Sequence, residues 1–250
     1  MRKLCVTIPA LALGAALTAT PALAVNNYDD CVKLVQADPA KADAAAAKWA
    51  SDGNGGAAAE HCRALALLAE GLKQPAANLL TSIAAKDREL PNQVRAEIML
   101  EAGRIYLDLA DLEAGRKAVD EAMKLAKDKQ PVLVLSAQLK AAANDWQGAA
   151  ADLSKALDKA KPDADVLVLR ASARLHMRDL VGARADLAWA EELAPKDPTL
   201  WLEKGNLAEA SGKRDAAQAA WLKAIELDQK GGAVAQAARL RLQKMAAGTG

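Results

Sequence analysis

Phenylalanine is absent from the 250 residues, and aromatic residues of all kinds make up only 3%. Strands of sandwiches and barrels draw on aromatic and β-branched side chains, so this scarcity argues against both. Neither sign of charge is in excess. With 26% charged residues and a formal net charge of +1, the chain has no cationic footprint for nucleic acid and no charge-driven disordered tail. Only two histidines, His61 and His176, are present. There is no Gly-x-Ser-x-Gly, His-Glu-x-x-His or Cys-x-x-Cys, and no phosphate-cradling glycine loop with lysine. Asp52 and Asn54 begin what would be a calcium loop, but Ala57 and Arg63 stand where glycine and the closing glutamate belong. No metal, cofactor or catalytic residue is expected. Alanine is plentiful, at roughly a quarter of the chain, and with leucine it is the best helix former. Small and aliphatic side chains point to an all-α protein of closely packed helices.

The first 24 residues read as an address. Arg2 and Lys3 precede a run from Leu4 to Leu17 that is apolar apart from Thr7, and Ala22-Leu23-Ala24 offers small residues at a cleavage site. The run is too short to span a bilayer, and no later segment could cross one. Residues 1–24 are therefore expected to be a cleaved secretory signal, with Val25 opening the mature chain. Richness in Ala, Arg, Asp and Leu is what a GC-rich bacterial genome encodes, which favours the periplasm as destination. Two cysteines remain, Cys31 and Cys62, and an even pair in an oxidising compartment reads first as a disulfide. Closing that loop stabilises by ~3.7 kcal/mol at most on chain entropy. The other reading, a reactive Cys62 beside His61, is disfavoured because adjacent helical residues do not face each other.

A period of 34 organises the rest. Aligning units at residues 96, 130, 164 and 198 places Met99, Leu133, Leu167 and Trp201 at the fourth position. The eighth is small throughout (Gly103, Ala137, Ala171, Gly205), as is the twentieth (Gly115, Ala149, Ala183, Ala217). The twenty-fourth is large again: Val119, Leu153, Leu187, Trp221. Small residues let two crossing helices approach and large ones fill their flanks. Ala57–Ala84 follows the same plan with its turn at Gly71. Tyr28–Gln36 and Pro39–Ser51 form a helix pair before it.

This pattern resembles the tetratricopeptide repeat, a 34-residue helix–turn–helix unit. The last full unit matches best, and Gly103 with Tyr106 matches in the first. Lys140, Arg174 and Ala208 depart from the family's tyrosine in the first helix. The resemblance implies a right-handed α-solenoid. Its organisation would be 25–95 as N-terminal cap and divergent helix pairs, then repeats 96–129, 130–163, 164–197 and 198–228, then a capping helix and tail in 229–250. Leu240, Leu242 and Met245 would cover the last repeat, while Arg239, Arg241 and Lys244 stay wet. Trp201 and Trp221 would occupy repeat core positions, and acidic residues would lie at turns and exposed positions. Cys31 and Cys62 fall in the first helices of two successive units, where a bridge clamps the fraying end.

By the same resemblance the first helix of each unit lines a concave groove. Position 5 supplies an aliphatic stripe, Leu100, Val134, Val168 and Leu202. Position 9 supplies a polar one, Arg104, Gln138, Ser172 and Asn206, and His176 faces inward at position 13. An extended or helical peptide would set apolar anchors on the first stripe and be hydrogen-bonded by the second. An equally weighted alternative has position 5 buried between repeats. Of the lysine and asparagine set that some family members use to hold a C-terminal carboxylate, Asn206 alone is present, so carboxylate capture is not expected. The leading expectation is an exported, non-enzymatic scaffold binding a periplasmic or envelope protein or peptide, in an oligomeric state left open. The alternative is a self-assembling structural subunit, with an enzyme a distant third. Mass spectrometry of the exported protein should find Val25 as its first residue; an intact N-terminus would overturn the leader.

Overall fold

The computed structural model describes Val25 and residues 27–53, 55–158 and 161–248; the expected signal segment 1–24 lies outside these. Among the described residues there are thirteen α-helices and no strand. They run α1 (Tyr28–Ala37), α2 (Pro39–Ser51), α3 (Gly56–Ala69), α4 (Lys73–Lys86), α5 (Asn92–Asp108), α6 (Leu112–Leu125) and α7 (Gln130–Ala142). The series continues with α8 (Trp146–Asp158), α9 (Ala164–His176), α10 (Leu180–Leu193), α11 (Pro198–Ala210), α12 (Arg214–Leu227) and α13 (Ala233–Ala247). Each helix packs on the next, and α5 also packs on α7 and α9 on α11. Among the described residues the second helices α6, α8, α10 and α12 make no comparable contacts with one another. The first helices therefore lie on the inside of the curve, as in a stacked α-solenoid.

One turn recurs between the helices of a unit. Gly71, Ala110, Asn144, Arg178 and Gly212 all take positive φ, between 57° and 81°. The amide after each donates back to a carbonyl five residues earlier, as from Asp111 to Tyr106 (2.9 Å), Asp145 to Lys140 (2.8 Å) and Lys213 to Ala208 (2.9 Å). These are Schellman closures, which satisfy carbonyls left open at a helix end. The next helix starts at once, because Asp111, Asp145 and Asp179 accept from the amides of Ala114, Gly148 and Gly182 at 2.9–3.1 Å. Many of the acidic turn residues are thus helix caps.

The cores between helices are built as the spacing demands. Gly103 and Gly205 are buried, and a methyl group on Gly205 would overlap the Trp221 indole. Trp221 is completely buried with Ala217, Ala224 and Ala238. At the N-terminal end Cys31 and Cys62 form a disulfide between α1 and α3, Cα atoms 6.2 Å apart, inside a cluster with Trp49.

Three expectations need correction. Trp201 is only half-buried; its indole N–H donates to the Pro195 carbonyl (2.8 Å) and Lys204 lies 4.2 Å over the ring. On α13 the covering face is Ala235, Ala238, Leu242 and Met245, whereas Leu240 is 51% exposed. Residues two apart on a helix do not share a face, so Leu240 and Leu242 could not both be inward.

Not every acidic residue sits outside, either. Asp152 and Asp186 are buried at position 23 of the second and third units. Asp186 takes a bidentate pair from Arg170 (3.0 and 2.8 Å) and a third bond from Arg174 (2.7 Å). Asp152 accepts from Ser136 (2.7 Å), Lys140 (2.5 Å) and Lys155 (3.3 Å). In the outer units the same position is Ala118 and Ala220, and the partner position is Tyr106 and Ala208. The cation at position 11 and the carboxylate at position 23 come and go together, because a buried charge without its partner costs several kcal/mol.

Two glycines separate packing from backbone effects. Gly205→Ala should destabilise by about 1–3 kcal/mol through overpacking against Trp221. At Gly212 an added methyl meets nothing within 4 Å, so Gly212→Ala should cost only the left-handed backbone term, about 1 kcal/mol, and Ala110→Gly should change stability in the opposite direction. Urea unfolding of the three variants checks the ranking.

Candidate functional site

Three groups of side chains line the inner layer of first helices. At the N-terminal end, the Tyr28 hydroxyl on α1 and Nδ1 of His61 on α3 are hydrogen-bonded (2.7 Å), and Nε2 of His61 bonds Glu101 on α5 (2.9 Å). Burial first, and Glu101 second, push the Tyr28 phenol up from its ordinary value. The phenol therefore keeps its proton. The chain of bonds borders a cleft of about 410 Å³ whose floor is Ala57, Ala58, Val94 and Ile98. A phenol held in its neutral form is a hydrogen-bond donor, not an activated nucleophile.

The middle group holds three of the expected groove residues. Arg104, Val134 and Gln138, from successive first helices, share a cleft of about 300 Å³ with Asp163 and Asp165. Burial, then the neighbouring carboxylates Asp163 and Asp197, push the Asp165 carboxyl up. Arg104 is exposed, and Val134 and Gln138 are half-buried. A cation, an aliphatic surface and an amide thus share one cleft with two carboxylates.

At the C-terminal end, Ser172 and Asn206 donate to the two oxygens of Glu203 (both 3.2 Å), and the Asn206 carbonyl accepts from Trp221 (3.3 Å). Burial pushes the Glu203 carboxyl up; the bonds from Asn206 and Ser172 and the charges of His176 and Arg241 offset it only in part. The position-9 residues Ser172 and Asn206 are therefore engaged with a carboxylate of the protein itself. His176 is exposed and stacks flat on Trp146 of the preceding unit, centroids 3.7 Å apart and planes within 3°.

The aliphatic stripe divides. Leu100 (5% exposed) and Val168 (3%) belong to packed clusters, while Val134 and Leu202 are half-buried. Leu100 and Val168 are thus core residues and offer little surface to a ligand. Sequence reasoning missed Tyr28, His61, Glu101 and Glu203. A signal was available, since position 6 reads Glu101, Leu135, Leu169, Glu203. A charge in the outer units where the inner ones carry leucine marks the two ends of the inner face as different from its middle.

Helices paired across left-handed turns and stacked with their first members inward define an α-solenoid of helix–turn–helix repeats. Residues 96–129 and 198–230 match the tetratricopeptide repeat profile, so those two units are tetratricopeptide repeats. Solved structures agree in fold. PilF of Pseudomonas aeruginosa is 17% identical, with TM-score 0.62, covering 86% of this chain and 97% of its own. A tetratricopeptide repeat protein from Parabacteroides merdae is 15% identical, with TM-score 0.62, covering 86% and 84%. MamA of Desulfovibrio magneticus is 17% identical, with TM-score 0.57, covering 70% and 96%. No curated protein sequence matches the chain. Such repeats make the protein an interaction scaffold.

Stability should respond to pH in two separate windows. Burial pushes the Asp152 carboxyl up, but the bonds from Lys140 and Ser136 outweigh this and leave it below its ordinary value. Its contribution is complete above the unfolded value of about 3.9 and is lost as pH falls through the lowered folded value. Glu203 acts with opposite sign: stability is greatest below the unfolded value of about 4.3 and declines as pH rises through the raised folded value. In thermal melts across pH, Asp152→Asn should remove part of the acid-side loss. Glu203→Gln should remove part of the decline above it.

Proposed function

We propose that this is an exported scaffold that binds an extended segment of another cell-envelope protein along its inner face, in the periplasm. The observation that carries the reading is the middle cleft, where Arg104, Val134 and Gln138 from successive units meet around one opening. Val134 offers an apolar anchor point, and Gln138 and Arg104 offer donors to a partner backbone or carboxylate. Export is supported by the leader-like residues 1–24 and by the Cys31–Cys62 pair, which suits an oxidising compartment. A second reading, self-assembly through the second helices, draws on Trp189 and Leu193 of α10 and Leu222 of α12, all about half exposed. Their solvated positions put them outside the inner layer, so the two readings involve different surfaces.

The test is affinity capture from periplasmic extract with the mature chain and its variants. Val134→Asp and Arg104→Glu should weaken recovery of the specific partner at least tenfold and leave the thermal melt within a few degrees of the parent. Val134 is already half in water, and an unpaired carboxylate would be buried only in the complex. Leu100→Asp and Val168→Asp should unfold the chain instead, since both side chains are already buried. Wild-type recovery with a folded Val134→Asp variant would overturn the groove. Concentration-dependent oligomers that Trp189→Ser abolishes would favour assembly.

A further inference from the structure

Position 11 is filled differently in each of the four full units. Tyr106 is buried against α4, its hydroxyl donating to Asn78 (3.0 Å). Lys140 and Arg174 turn instead toward the buried carboxylates of their own units. In the fourth unit the residue is Ala208, and beside it lies a hollow of about 280 Å³ between α10 and α11. Its floor is Leu187, Leu207 and Ala208. In the setting of Tyr106, the residues at the corresponding positions of the two facing helices are Ala102 and Ala84, both fully buried. Here they are Lys204 and Glu191, joined by a 2.6 Å ion pair at the edge of the hollow. The fourth unit thus lacks the ring that fills the first, and polar residues stand where the first unit closes over it.

We propose that this hollow is a socket for one aromatic side chain, flanked by acidic residues, from a protein partner. This rests on the scaffold reading but places a contact outside the inner face. The hollow's volume falls just under the range of about 300 to 1,000 Å³ for whole small molecules, which suits a single side chain. Aromatic residues seated in such pockets are the commonest anchors of protein interfaces. Charge decides the flanks. Lys204 is committed to Glu191, but Arg184 and Lys213, which also line the hollow, make no ion pair among the described residues. The mouth therefore carries two uncompensated positive charges, and a carboxylate on either side of the ring meets them.

The probe is a fluorescein-labelled nonapeptide with one tyrosine between aspartates, titrated against the full mature chain by fluorescence polarisation. It should bind, weaken as salt rises, and lose at least tenfold in affinity when its tyrosine becomes alanine or its aspartates become lysine. Ala208→Tyr, which supplies the missing ring from within, should abolish binding without lowering the melting temperature. Lys213→Glu, at an exposed site, should weaken binding tenfold with the fold intact, and keeps the test valid if Ala208→Tyr overpacks. Val134→Asp should leave this peptide's affinity unchanged, so the socket and the inner groove fail separately. No binding of the peptide, equal binding of its alanine version, or unchanged affinity in folded Ala208→Tyr or Lys213→Glu would each overturn the proposal.

Discussion

Close approach of the two helices in each unit is the constraint on which everything else depends. Gly103, Ala137, Ala171 and Gly205 face Gly115, Ala149, Ala183 and Ala217 across that contact, and all eight are buried. Side chains this small bury little area apiece, so stability comes from the flanking Leu80, Leu153, Leu187 and Trp221 and from the stacking of one unit on the next. With few aromatic residues available, the chain meets its packing requirement by bringing backbones together instead of filling gaps between them. The fully buried ring at the C-terminal end, Trp221, is accommodated because Gly205 has no side chain.

Within that frame the units are not equivalent. The central two each hold a buried carboxylate bonded by cations, joined in the second unit by the Ser136 hydroxyl, while the outer ones are apolar at the same place. Repeat arrays gain stability from their neighbours, so terminal units are the first to fray. Here the two ends are secured by different means. A disulfide and the bonds linking α1, α3 and α5 hold the first; α13 packing on α12 holds the last. The inner face inherits the same division, with glutamates engaged by the protein at both ends and an open cleft of mixed charge between them.

The period of the small and large residues was legible because helix crossing imposes it on every unit. Turn geometry was only half legible. Gly71 and Gly212 announce a left-handed backbone, but Ala110 and Arg178 adopt it under the pull of the Schellman closure and the aspartate cap behind it. The cysteine pair followed from counting. Less visible was which face of a helix turned inward, as Leu240 shows, since an alanine-rich helix buries alanines as readily as leucines. Of the groove positions, Arg104, Val134 and Gln138 border the middle cleft, while two of the four aliphatic members are core. The covariation of positions 11 and 23 lay in the sequence, but it is meaningful only once the crossing brings those positions into contact.

The link between Cys31 and Cys62 has a mechanical side. A solenoid drawn out by its ends yields by shedding units in turn, each lengthening the chain as it unravels. The bridge spans 31 residues, so roughly 100 Å of extended backbone is withheld from any pull applied at Val25. Tension entering there passes through the sulfur atoms directly into α3, bypassing α2. From this end, the first helix pair beyond the bridge able to give way is therefore α3–α4, and the Tyr28–His61–Glu101 chain lies on the path by which force reaches α5.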